Sequence, residues 1–164
     1  MTLDQLRGLN EIRIMMVCMG NICRSPAAEV VLKAKLAAAG LSHVVVDSSG
    51  TGGWHEGEGA NPKSIVTWEK RGYRGSHKAR QFRAPWFHER DLILVMDDEN
   101  FHTLIARAPD EESKARVRYL REFDALATEC EVPDPYYGGM DGFEYMLDLI
   151  ESACDGLVAE LQAL

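Results

Sequence analysis

Short apolar runs alternate with amphipathic stretches along this chain. Ile12-Arg13-Ile14-Met15-Met16-Val17 is mostly apolar and of strand length, and it predicts the first strand. Ser25-Pro26 then opens a helix, with the serine as N-cap and the proline at the first helical position. Ala27 to Ala39 is rich in Ala, Val, Leu, Lys and Glu, and Gly40 stops it. Val44-Val45-Val46 predicts a second strand. A flexible stretch with five glycines follows, from Ser48 to Asn61. Pro62 opens a second helix that runs to about Arg71, ahead of Gly72. Asp91-Leu92-Ile93-Leu94-Val95 is the clearest buried strand, and Glu99 to Ala108 is a helix closed by Pro109. Val117-Arg118-Tyr119-Leu120 predicts a fourth strand. A proline-containing loop, Val132 to Gly139, leads into a last helix from about Gly142 to Leu161.

Alternating strands and helices predict parallel strands joined by right-handed crossovers, hence an open α/β sheet in a single domain. In such sheets ligands bind beyond the carboxyl ends of strands, near a switch point. Cys18 falls at the carboxyl end of the first predicted strand. Composition narrows the field. A chain of 164 residues suits one domain, and 46% hydrophobic residues can form a substantial core. A formal net charge of -8 argues against nucleic-acid and membrane-surface binding. No basic segment followed by an apolar run opens the chain, and Ile12 to Val17 is too short to span a bilayer. Four cysteines without a dense framework fit a reducing compartment, so a cytoplasmic location is expected, with signal-independent export left open.

The chemistry concentrates in Cys18-Met19-Gly20-Asn21-Ile22-Cys23-Arg24-Ser25. This run lies between a strand and a helix start, where the helix dipole and free N–H groups favour negative charge. A thiol in that field has a lowered pKa and acts as a thiolate nucleophile. The amides of Met19, Gly20, Asn21, Ile22, Cys23 and Arg24 can form a nest around three phosphate oxygens. Gly20 and Asn21 tolerate the positive φ that a nest often needs. The planar fork of Arg24 matches two equatorial oxygens. Ser25 caps the helix and can donate to the Cys18 sulfur, which stabilises the thiolate as a leaving group. Cys23 has two readings, a packed small hydrophobe or a resolving thiol that guards Cys18 through a reversible disulfide.

Phosphoester cleavage also needs a proton for the departing oxygen. The best candidate is Asp134, in Val132-Pro133-Asp134-Pro135-Tyr136-Tyr137-Gly138-Gly139. Two prolines stiffen the backbone around it, and Tyr136 and Tyr137 can stack on an aromatic leaving group. An ordinary Asp-Pro turn is the alternative. In Asp97-Asp98-Glu99, Asp98 reads as the helix cap and Asp97 as a support for the site. Trp54 is a large aromatic in a glycine-rich loop, poorly placed for a core, and reads as a cleft wall. His43, His55, His88 and His102 are scattered and read as surface or capping residues, and no cluster has metal-ligand spacing. The basic run Lys70, Arg71, Arg74, Lys78, Arg80 and Arg83 reads as a solvated face.

At these residues the chain resembles the low-molecular-weight protein tyrosine phosphatases of the bacterial type. Val17 to Pro26 matches the family signature. Asp47-Ser48-Ser49-Gly50-Thr51-Gly52-Gly53-Trp54, Ser76-His77-Lys78-Ala79-Arg80, Met96-Asp97 and Asp134-Pro135-Tyr136-Tyr137-Gly138 follow in the family's order. The resemblance covers residues 12–164 as one phosphatase domain and leaves residues 1–11 as an extension. It implies a four-stranded parallel sheet with helices on both faces. It further implies Asp134 as general acid, a polar network of Asn21, Ser48 and His77 that holds the phosphate loop, and cleft walls from Trp54, Tyr136 and Tyr137. The implied partners are phosphotyrosine proteins, with no cofactor, no metal, no nucleic acid and no membrane insertion, in a monomer or weak dimer. Three other readings compete. An arsenate reductase of this fold would carry a redox cysteine pair near mid-chain, where residues 24–129 have no cysteine. A protein arginine phosphatase would have threonine at the position of Ile22. A phosphotyrosine-binding module would lack the nucleophile or the acid.

Overall fold

The structure is a computed structural model that describes residues 2–164. Four strands form one parallel sheet: β1 (Ile12–Cys18), β2 (Val44–Gly50), β3 (Leu92–Val95) and β4 (Val117–Tyr119), in the order β2-β1-β3-β4. Six helices connect and cover them: α1 (Arg24–Ala38), α2 (Pro62–Lys70), α3 (Trp86–Glu89), α4 (Asp98–Arg107), α5 (Glu111–Arg116) and α6 (Met140–Gln162). From β1 the chain steps to one side to make β2, then returns past β1 to make β3 and β4. The carboxyl ends of β1 and β3 therefore flank the switch point, where such sheets open a crevice.

The unbroken apolar run of β1 follows from burial on both faces. Ile14 and Met16 pack in a core with Leu32 and Leu36 of α1 and with Phe143, Leu147 and Ile150 of α6. Met15 and Val17 point the other way, into a second core with Phe82, Phe87, Leu104 and Val117. Leu3 and Leu6, in a 3-10 turn ahead of the sheet, are buried in the first core, and Arg7 donates to the Leu164 carbonyl. Among the described residues, no helix is long and apolar enough to cross a membrane.

Several local expectations are corrected. β2 runs on to Gly50, into the stretch expected to be flexible, because β1 pairs with it residue by residue up to Cys18 opposite Gly50. Helix α1 starts at Arg24, so Ser25 lies in its first turn and is not the N-cap. The cap of α4 is Asp97, whose side chain accepts the Asn100 N–H, while Asp98 lies inside the helix. Helices α3 and α5, four and six residues long, are too short to show a period in sequence. The basic run is not simply solvated. Arg71 reaches Glu144, Asp148 and Glu151 of α6, and Arg80 pairs with Asp47 and donates to the Ser48 carbonyl.

Candidate active site

The loop from Met19 to Cys23 joins β1 to α1 at the switch point. Its carbonyls are drawn outward. That of Cys18 accepts from Thr51 N–H at 2.9 Å, that of Met19 from Gly52 N–H at 3.0 Å, and that of Ile22 from Asn61 N–H at 2.8 Å. The Asn21 carbonyl accepts from His77 Nε2 at 2.6 Å and the Cys23 carbonyl from the Ser64 hydroxyl at 2.9 Å. In a trans peptide the N–H points opposite to the C=O. The N–H groups that follow these carbonyls therefore turn toward the inside of the loop, a concave ring of donors suited to an anion.

Asn21 makes the turn possible. Its φ of 57° is left-handed, a conformation asparagine tolerates better than most residues. It is wholly buried and its side chain is fully engaged. Oδ1 accepts the Arg80 N–H at 3.0 Å, and Nδ2 donates to Ser25 Oγ at 2.8 Å and Ser48 Oγ at 3.0 Å. The Asn21 carbonyl can only accept, so His77 Nε2 carries a proton and donates, while burial lowers the ring's pKa against the opposing pull of that carbonyl. The end of β2 presses on the loop from below. A Cβ on Gly50 would lie 2.7 Å from the Met19 carbonyl, so this position admits only glycine without a shift of backbone.

Cys18 lies at the floor of the loop, 2% exposed, with its Sγ 3.0 Å from the Ser25 hydroxyl. Ser25 is thus engaged by the sulfur and by Asn21 rather than by a helix end. Arg24, 1% exposed, extends under the crevice. Its Nη1 donates to Asp97 Oδ2 at 2.6 Å and to the Val132 carbonyl at 3.0 Å, and its Nη2 reaches Asp134 Oδ2 at 3.4 Å. Burial disfavours the Arg24 charge, but Cys18, Asp97 and Asp134 outweigh it and its pKa stands above the ordinary value. Asp97 performs two tasks with one carboxylate, Oδ1 capping α4 and Oδ2 holding Arg24. Buried Val132 pins the loop that carries Asp134, its N–H donating to the Met96 carbonyl at 2.7 Å, just past β3. Cys23 is buried, and desolvation, with the negative charge of Cys18 and Asp134, pushes its thiol up to about 12. That surrounding is the one expected for the packed-thiol alternative.

Above the sulfur opens a cavity of about 360 Å³ lined by Cys18, Arg24, Ile22, Trp54, His55, Asp134, Tyr136 and Tyr137 among others. Trp54 is 71% and Tyr137 98% exposed, large aromatic surface left bare at a cleft mouth. Tyr136 and Tyr137 meet edge to face with centroids 4.8 Å apart. The Trp54 ring lies over Gly52, where a Cβ would sit 1.8 Å from it. His43, His88 and His102 are exposed, as expected. His55 is not a plain surface residue: it lines the cleft, bonds Glu58 at 3.1 Å and faces Tyr136. Its one signal in sequence is adjacency to Trp54. Asn61 and Ser64, which hold the loop from outside, and Val132, whose carbonyl holds Arg24, also escaped notice, because contacts to backbone groups leave no residue pattern.

A family profile described as "Low molecular weight phosphotyrosine protein phosphatase" matches residues 13–164. A "Low molecular weight protein-tyrosine-phosphatase" of Streptomyces coelicolor is 48% identical over 153 residues, covering 92% of this chain and 93% of that protein. "Low molecular weight protein-tyrosine phosphatase A" of Mycobacterium tuberculosis is 40% identical over 149 residues, covering 89% of each chain. The crystal structure of a protein tyrosine phosphatase from Entamoeba histolytica superposes with a TM-score of 0.90 at 36% identity, covering 93% of this chain and 98% of that one. Sequence, fold and the loop at the end of β1 thus converge, and the chain belongs to the low molecular weight protein tyrosine phosphatase family.

Proposed function

We propose that the chain hydrolyses phosphotyrosine in proteins by two displacements at phosphorus. The phosphoryl group sits in the loop, with equatorial oxygens on the inward amides and the Arg24 guanidinium. The Cys18 thiolate attacks in line. The S–P bond forms as the P–O bond to tyrosine breaks, and Asp134, as the carboxylic acid, gives its proton to the phenolic oxygen. Water then attacks the phosphocysteine. Asp134 takes a proton from it, the S–P bond breaks, and inorganic phosphate and the thiolate are restored. Arg24 and the amides stabilise charge on the equatorial oxygens in both transition states, and the Ser25 hydroxyl stabilises the leaving sulfur in the second.

The observation that carries this reading is the meeting of Cys18, Arg24 and Asp134 in one cleft above the inward amides of the loop. The cleft favours a flat aryl phosphate. Trp54, Tyr136 and Tyr137 form aromatic walls over a sulfur at the floor, where a phosphoserine is too short to reach. Ile22 adds an apolar wall beside the loop. The test is a panel of phosphotyrosine, phosphoserine and phosphoarginine peptides with wild type and Cys18→Ser. Turnover of phosphotyrosine alone, abolished in Cys18→Ser, is expected. Retained activity in Cys18→Ser, or preference for phosphoarginine, refutes it.

A further inference from the structure

A chain of hydrogen bonds runs from the face of α1 to the Cys18 sulfur, and its outer end is a residue with no role so far. Glu29 lies just over one turn into α1 and is half-buried. Its Oε1 accepts from Ser48 Oγ at 2.6 Å, and its Oε2 accepts from Lys33. A carboxylate only accepts, so the single Ser48 hydroxyl proton goes to Glu29 and the Ser48 oxygen is left as an acceptor. It accepts Asn21 Nδ2 at 3.0 Å. The Asn21 amide cannot turn over, because its Oδ1 already takes the Arg80 N–H at 3.0 Å. Both Nδ2 protons are therefore committed, one to Ser48 and the other to Ser25 Oγ at 2.8 Å. The Ser25 oxygen accepts there and keeps its own proton to give. Two acceptors are in range, Cys18 Sγ at 3.0 Å and the Ser49 carbonyl at 3.3 Å. The sulfur is the nearer, and in the thiolate form that the proposed mechanism uses it is the stronger acceptor.

We propose that Glu29 is a positioning residue: by taking the Ser48 proton it sets the donor direction along Ser48, Asn21 and Ser25, and so keeps the Ser25 hydroxyl aimed at the Cys18 sulfur. This rests on the reading of Cys18 as nucleophile. Without an acceptor at Glu29, the freed Ser48 proton can face the Asn21 NH₂, donor against donor, and the amide loses its fixed place. The effect falls on the step in which sulfur leaves phosphorus, because a hydrogen bond to the thiolate stabilises the leaving group. His77 also holds Asn21, but through the backbone carbonyl, so it anchors the loop without setting the direction of the side-chain chain.

Rapid-quench kinetics with p-nitrophenyl phosphate separate the burst of nitrophenol, which reports formation of the phosphoenzyme, from steady turnover, which reports its hydrolysis. Glu29→Ala is expected to lower steady kcat about three- to tenfold, the size of one hydrogen bond, with the burst amplitude kept. Glu29→Gln retains an acceptor oxygen and recovers most of the loss. In a Ser48→Ala background, Glu29→Ala adds no further loss, because the proton it would accept is gone. The proposal is overturned if Glu29→Ala leaves kcat at the wild-type value, or if it costs the same factor with and without the Ser48 hydroxyl. Should Glu29→Ala not fold, Glu29→Leu keeps the bulk and carries the same expectations. A wild type that turns over without any burst speaks instead against the phosphocysteine reading. A wild-type burst with no effect of Glu29→Ala refutes the role of Glu29 alone.

Discussion

Asp97 is the residue at which fold and site share a single side chain, and two substitutions separate its tasks. Its Oδ1 caps α4 through the Asn100 N–H at 2.8 Å, and its Oδ2 holds the buried Arg24 at 2.6 Å. Asp97→Asn keeps a good cap but removes the charge, since asparagine caps as well as aspartate. Asp97→Ala removes both. Arg24 is 1% exposed, so loss of its carboxylate is felt at low local dielectric, and a charge-assisted hydrogen bond is worth about 1.5–3 kcal/mol. Arg24 keeps the Val132 carbonyl and, at 3.4 Å, the more exposed Asp134, which limits the loss to about 2 kcal/mol for Asp97→Asn. The missing cap adds about 1 kcal/mol in Asp97→Ala. At about 2–4 °C per kcal/mol for a chain of this size, Tm should fall by about 4–8 °C and then about 2–4 °C more. Thermal and urea unfolding read the two steps, and kcat for an aryl phosphate reads the guanidinium. Both variants should lose tenfold or more in kcat, because Arg24 is free to swing onto Asp134. Equal stability of the two variants would refute the cap, and wild-type kcat in Asp97→Asn would refute the positioning of Arg24.

Two further outcomes follow from the titrating groups. Cys23 is held up to about 12, so iodoacetamide at pH 7 should label Cys18 and leave Cys23 unlabelled, read by peptide mapping; labelling of Cys23 at neutral pH contradicts its buried state. The folded His77 pKa lies below the ordinary value of about 6.5, so between the two the unfolded chain binds the extra proton. The contribution of His77 is fully present above about pH 6.5 and is lost as pH falls below it, so urea midpoints should drop more from pH 7.5 to pH 5.5 in wild type than in His77→Gln. An equal drop refutes the lowered pKa of the half-buried His77.

The sheet and the loop were legible because their signals are local. An apolar run ending in Cys18, then glycine, asparagine, arginine and a serine-proline pair, marks both the strand end and the residues of the proposed chemistry. What stayed hidden depended on tertiary partners. Asp47-Ser48-Ser49-Gly50 carries no strand propensity, and only pairing with the buried β1 extends β2 through it. Asp97 and Asp98 are equivalent as caps in sequence, and the choice is made where β3 ends and Arg24 arrives. Ser25 reads as an N-cap until Asn21 and the sulfur claim its hydroxyl. His55 and Glu29 have no period or motif of their own and gain meaning only from what surrounds them. The residues of the proposed chemistry are thus visible in sequence, while the scaffold that gathers them is not.

The central claim is that the phosphoryl group passes through the Cys18 sulfur. The direct measurement is to quench Asp134→Asn, in which the proposed mechanism slows water attack, within the first turnover of a phosphotyrosine peptide and to map the phosphate by acid-gentle peptide mass spectrometry. Phosphate on the peptide that contains Cys18, at a stoichiometry near one per active site and absent in Cys18→Ser, is the expected result. Phosphate on another residue, or turnover with no phosphoenzyme in the quenched sample, contradicts it.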